Sequence, residues 1–186
     1  MSSQKWSFDQ PDRFIVGTIG APGEREFYFQ VRQKNILISL ATEKSQATAL
    51  AERITTIIRE IKKSAPLSAV TAAPVDDLPL ELPLDSEFVV GAIGIAFDPS
   101  LLEIEISFRA EDADSLGDET DDDDSGPIVE IHLDLSMALA FAQRTMALVA
   151  AGRPLCPFCI SPIDPRGYLC TRANGYRRWM NSIILG

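Results

Sequence analysis

The chain has 186 residues, 46% of them hydrophobic, and a formal net charge of −10. That length suits one ordinary domain, or two small units with a tail, and a core large enough to fold without a metal or a disulfide. No apolar run approaches the roughly 20 residues that span a bilayer, and no broad basic face marks a nucleic-acid footprint.

The charge is polarised. Glu111, Asp112, Asp114, Asp118, Glu119 and Asp121 to Asp124 carry most of the excess, leaving the rest of the chain near neutrality. Between Arg153 and Arg178, five arginines face only Asp164, so overall acidity does not argue against an anionic partner at that end. The opening Met1-Ser-Ser-Gln-Lys-Trp-Ser-Phe8 has no apolar h-region, so no export signal is expected. Three cysteines in such a chain suit a reducing cytoplasm and metal or redox use rather than a disulfide scaffold.

In chain order, the first signal is Phe14-Ile-Val-Gly-Thr-Ile-Gly20, which returns as Phe88-Val-Val-Gly-Ala-Ile-Gly94. Glu26-Phe-Tyr-Phe-Gln-Val-Arg32 likewise returns as Glu103-Ile-Glu-Ile-Ser-Phe-Arg109. Phe27, Phe29 and Val31, and later Ile104, Ile106 and Phe108, alternate with polar residues, the period of a strand with one buried face. A third strand is expected in each copy, around 35–40 and 128–133, and a helix after each. Gly17, Gly20, Gly91 and Gly94 are read as strand ends, since no phosphate-loop lysine follows them.

Thr42 is the expected N-cap of the first helix. Ala47, Leu50, Ala51, Ile54, Ile57, Ile58 and Ile61 form its apolar stripe. The second helix starts after Ser136 and ends near Gly152, before Pro154. The prediction is therefore α+β: a duplicated βββα repeat, antiparallel sheet with two helices on one face, the copies related by a pseudo-twofold axis. Residues 1–64 form the first repeat, 65–85 a proline-rich linker, 86–152 the second repeat with its acidic loop 111–125, and 153–186 a zinc-knuckle-like tail.

That tail holds all three cysteines: Cys156-Pro157-Phe158-Cys159, then Cys170. Two thiolates two residues apart grip one Zn²⁺ from a tight turn, and a third nearly closes the tetrahedron. Asp164, the sole histidine His132, or a water are the candidates for a fourth ligand. Two other readings stand beside zinc: a vestigial knuckle packed by Phe158, Tyr168 and Leu169, and redox use of Cys156 and Cys159. Arg172, Asn174, Tyr176, Arg177 and Arg178 follow as an anion- or partner-binding cluster, or as arginines that pair with core carboxylates and pin the tail. The acidic loop imitates a calcium loop only in part, with Leu116 at a ligand position. His132 lacks a nucleophile nearby, and no catalytic motif is present.

Gly152-Arg-Pro-x-Cys-Pro-x-Cys159, Pro162-x-Asp-Pro-x-Gly167 and Cys170-x-Arg-Ala-Asn-Gly-Tyr-Arg-Arg178 resemble the C-terminal signature of an uncharacterised bacterial family, a domain of unknown function of this length. Phe8-Asp-x-Pro-Asp-Arg-Phe14 resembles its opening. The resemblance implies a histidine two residues before the last cysteine, where this chain has Tyr168, and a proline where it has Thr171. It also implies genetic neighbours resembling histidine phosphatases and phosphatidylinositol kinases. The expected function is a cytoplasmic binding or adaptor protein, its partner kinase-like or phosphatase-like. The alternative is a small enzyme or phospho-ligand sensor with a site between the repeats, near Arg177 and Arg178.

Overall fold

The computed structural model describes residues 4–21, 23–64, 70–111, 126–152, 156–160, 163, 169, 170 and 172. The alternating segments form strands: β1 (Lys5–Asp9), β2 (Arg13–Ile19), β3 (Glu26–Gln33), β4 (Ile36–Thr42), then helix α1 (Lys44–Ser64). After residues 70–85, which hold no helix or strand, come β5 (Ser86–Asp98), β6 (Glu103–Ala110), β7 (Ile128–Asp134) and helix α2 (Leu135–Ala150). They build one seven-stranded sheet in the order β1-β7-β6-β5-β4-β3-β2.

The sheet is mixed rather than antiparallel. β4 runs parallel to β5, and β1 parallel to β7. The physical reason is the crossover through α1, which returns the chain to the starting end of the sheet and so makes β5 parallel to β4. The third strand of the first set, β4, thus adjoins the first of the next, β5, in the same direction. β1, which has no place in the βββα scheme, takes its strand form from parallel pairing with β7, Phe8 opposite Ile131.

Because α1 starts at Lys44 and its cap position is Glu43, the expected N-cap, Thr42, stands one residue too early. Its hydroxyl donates to Gln46 Oε1, and the same oxygen accepts the Glu43 N–H at 3.0 Å, the returning half of a capping box. α2 is capped by Asp134, whose carboxylate accepts the Met137 N–H at 2.7 Å. The two helices pack against each other and therefore share a face of the sheet. Among the described residues no helix is long and apolar enough to cross a membrane.

The core shows how strongly the sheet curls. β3 and β6 are separated by three strand spacings, about 14 Å across a flat sheet. Yet the rings of Phe29 and Phe108 lie 4.8 Å apart, and Phe14 on β2 reaches Phe108 at 6.2 Å. Phe141 of α2 stacks on Phe14 at 4.4 Å and fills the centre of the concave face.

The convex face of the first half is covered by residues 76–81. Arg13, only 8% exposed, grips the Asp76 carboxylate with Nε and Nη2 and donates to Glu81 and to the carbonyls of Leu78 and Pro79. Arg144, the sole charge of α2, reaches around edge strand β2 from the other face. It bonds the Val16 carbonyl at 2.9 Å, the Asp76 carbonyl, and the Leu78 carbonyl at 2.7 Å. Buried Gln30 exchanges two hydrogen bonds with the Glu81 backbone. The segment is thus a strap that caps one sheet edge, a device that keeps edge strands from pairing elsewhere.

The hydrogen bond to Arg13 holds the Asp76 carboxyl below its ordinary range, and the same bond raises Arg13, while burial lowers Arg144. Gly17 lies within β2 rather than at its end, because Leu80 of the strap presses onto it: a Cβ there would sit 2.4 Å from Leu80 Cγ. Gly91 and Gly94 likewise lie inside β5.

Two outcomes follow from the strap. Asp76→Asn should lower unfolding free energy at neutral pH by on the order of 3 kcal/mol, while Asp85→Asn changes it little. Because the Asp76 pKa is depressed on folding, its contribution is present above the unfolded value of about 3.9 and lost as pH falls through the lower folded value. Urea titrations of wild type and Asp76→Asn should therefore converge in acid. Second, Gly17→Ala should destabilise by about 1–2 kcal/mol through overpacking, and Leu80→Ala should cost less in its presence than alone, a coupling that a double-mutant cycle measures.

Candidate metal centre

Cys156-Pro157-Phe158-Cys159 folds as one tight turn, closed by the Ile160 N–H donating to the Cys156 carbonyl at 2.8 Å. Residues three apart in such a turn share a side, so both thiols face the same way, and Pro157 fixes one of the turn's φ angles in advance. Cys170 arrives at the same point from later in the chain. The three Sγ atoms lie within 4.8 Å of one another, and none is in a disulfide. A tetrahedral ion binding thiolates at about 2.3 Å sets them about 3.8 Å apart, so small shifts close the cluster on an ion. Three cysteines this close could hold a metal ion.

Closing the turn strains the chain. Ile160 takes φ 62°, the left-handed region, where a β-branched side chain is strongly disfavoured. Strain of this kind persists where surrounding structure over-determines it, and that is common at functional sites.

The knuckle inverts the usual burial order. Cys156 and Cys170 are buried, while Phe158, Ile160 and Leu169 are 61%, 70% and 76% exposed. Phe158 and Leu169 therefore do not form the inner packing that the vestigial reading required of them.

Arg172 Nη1 donates to the Phe158 carbonyl at 3.4 Å, a long bond that ties the segment after Cys170 to the first cysteine turn. Among the described residues its bond is to a backbone carbonyl of the knuckle. Asn174, Tyr176, Arg177 and Arg178 lie outside the described residues, as do Asp164, Tyr168 and the acidic segment 112–124.

His132 is not a ligand of this cluster. It sits on the polar face of β7, with Nε2 3.9 Å from Asp9 and Nδ1 3.9 Å from Glu105. The alternation that buries Ile131 and Leu133 forces its side chain to the opposite face of the sheet.

A cleft of about 690 Å³ opens beside the C-terminal end of α2, with Phe27, Val89, Leu148 and Val149 among its apolar walls and Arg25 and Lys44 among its polar ones. Sequence reasoning placed Phe27 in a strand but did not bring these residues together, because they come from four separate elements. Arg25 Nη1 bonds the Ala151 carbonyl at 3.1 Å, and Gly152 lines the cleft. Four residues of extended chain reach about 14 Å, so Cys156 is tethered within that distance of Gly152.

Residues 6–170 match the family DUF3090, described as "Protein of unknown function", and the chain belongs to that family. The match begins in β1 and closes on Cys170, so it takes in the three cysteines and leaves Arg172 outside. Neither a curated protein nor a solved structure matches the chain.

Relieving the strain at Ile160 gives the site its test. Ile160→Gly should tighten divalent-ion binding several-fold, since the left-handed conformation costs an L residue about 1–2 kcal/mol that glycine escapes. Competition against a chromophoric chelator reads the change, and Ile160→Val should leave the affinity where it was.

Proposed function

We propose that this DUF3090 protein is a non-catalytic cytoplasmic binding protein whose C-terminal knuckle holds one zinc ion and presents a recognition surface to a protein partner. The observation that carries this reading is the convergence of three thiols within 4.8 Å in a segment whose Phe158, Ile160 and Leu169 are exposed. An all-sulfur set suits zinc among the common divalent ions, because thiolates are soft ligands and zinc has no geometric preference to overcome. Sulfurs turned inward and Phe158, Ile160 and Leu169 turned outward make a surface whose shape depends on the ion. Exposed clustered apolar groups beside cations are the usual composition of an interface centre.

The scaffold beneath it is read as a duplicated βββα unit. The repeated sequence segments support this, together with the order β2-β3-β4-α1 followed by β5-β6-β7-α2, each triplet running in the same strand directions. Residues 1–64 and 86–152 would be the two copies, 65–85 the connection between them, and 153–186 the recognition tail. Arg172 with Asn174, Tyr176, Arg177 and Arg178 would extend the surface and give it affinity for an acidic or phosphorylated partner. The partner class comes from the resemblance: a kinase-like or phosphatase-like protein.

The cleft supports a second reading, a small-molecule sensor or enzyme, because its volume and mixed lining fall within the range of ligand sites. The two separate by experiment. On the adaptor reading, the full chain binds a kinase-like or phosphatase-like protein encoded beside it, and Phe158→Ala weakens binding by about tenfold or more without loss of bound metal. Titration calorimetry with each neighbour reads this directly. Finding that neither protein binds, or that Phe158→Ala leaves the affinity unchanged, removes the adaptor reading.

A further inference from the structure

β4 and β5 are unequal partners, and the inequality leaves an open strand edge inside the sheet. β5 runs from Ser86 to Asp98, but its parallel pairing with β4 covers only Ser86 to Val89. There β4 turns away into α1, and Gln46 of that helix covers the fork by donating to the Val90 carbonyl at 2.8 Å. From Ala92 to Asp98 the strand is paired with β6 on one side, and among the described residues no backbone group bonds its other side. Seven residues are a full-length strand.

This edge lacks the usual defences. Exposed edges are normally guarded by lysines, prolines, bulges or very short length. Ala92-Ile-Gly-Ile-Ala-Phe-Asp98 has no lysine or proline, and the irregularity in its pairing with β6 falls before Ala92. The outer edge of the first half, β2, is capped by the strap and Arg144, whereas β5 has no such cover among the described residues.

The edge is also complementary to itself. Ala92-Ile93-Gly94-Ile95-Ala96 reads the same in both directions. Antiparallel pairing with an identical strand about Gly94 sets Ala92 opposite Ala96 and Ile93 opposite Ile95. It sets Phe97 opposite Gly91, and Asp98 opposite Val90. No like charges meet, and within Ala92–Ala96 small residues pair with small and branched with branched, the arrangement that stabilises cross-strand neighbours. Ala92, Gly94 and Ala96 are exposed on the face opposite the core, so none of the described residues covers them there.

We infer that the occupant of this edge is a second copy of the chain, joined by antiparallel β5–β5 pairing about a twofold axis through Gly94, so that two sheets become one. A closed isologous pair of this kind uses up both edges and stops at the dimer. The inference is independent of the cysteine cluster.

Sedimentation equilibrium of the full chain at micromolar concentration tests it, using substitutions on the exposed face that keep the fold. Ala92→Lys with Ala96→Lys places lysines opposite lysines in the proposed register and should convert dimer to monomer. Ala92→Glu with Ala96→Lys places opposite charges together and should restore the dimer. A wild-type monomer at all concentrations overturns the inference, as does a dimer indifferent to the paired lysines or one that the charge-matched variant fails to restore. Cys170→Ser should leave the dimer intact, which separates this outcome from failure of the metal reading.

Discussion

Asp76, held between Arg13 and Arg144, is the point on which the rest of the architecture depends. The carboxylate neutralises a buried guanidinium from the edge strand, while Arg144 reaches it from the helix on the other face. Three elements far apart in sequence are thereby tied around one sheet edge. A buried arginine is costly unless paired and fully hydrogen-bonded, and here Arg13 finds acceptors in Asp76, Glu81 and two strap carbonyls. The strap is consequently fixed in one path, and that path delivers the chain to the start of β5 beside β4.

From that delivery follow the features with functional interest. A parallel β4–β5 junction forms but ends early, because β4 must leave for α1, so the sheet forks. On one side of the fork lies the open β5 edge. On the other lies the cleft walled by β3, the β4–α1 junction and the end of α2. The curl of the sheet around Phe14, Phe29, Phe108 and Phe141 brings α2 diagonally across the concave face, from β7 to β2. Its last turn then lies beside Arg25, and the cysteine knuckle begins a few residues later. Chain length alone therefore keeps Cys156 within about 14 Å of Gly152.

How much of this the sequence discloses depends on the range of the interactions. The alternation in Phe27, Phe29, Val31 and in Ile104, Ile106, Phe108 is local, and those strands were legible. The seven-residue stripe of α1 and the spacing of Cys156, Cys159 and Cys170 were legible for the same reason. β1 was not: five residues with one buried side chain become a strand only because β7 offers a partner. The sheet's mixed character depends on where the crossover places β5, which no local period records. The strap read as a linker because prolines and isolated leucines show no periodicity. Yet a signal was present in Arg144, a lone charge in an otherwise uncharged helix, and in Arg13 at the head of an apolar strand. Each demanded a buried partner. His132, offered as one possible fourth ligand because it is the sole histidine, lies on the polar face of β7 beside Asp9 and Glu105 and does not join the three clustered cysteines.

The most direct test of the zinc site is the metal content and ligand set of native chain, purified without chelators or a histidine tag. Elemental mass spectrometry and zinc K-edge absorption together provide it. One zinc per chain with at least three sulfur neighbours is expected, and loss of that zinc in Cys170→Ser. Binding of that strength supplies on the order of 10 kcal/mol to the local fold. Protein that is fully folded, metal-free and unable to take up zinc would contradict it.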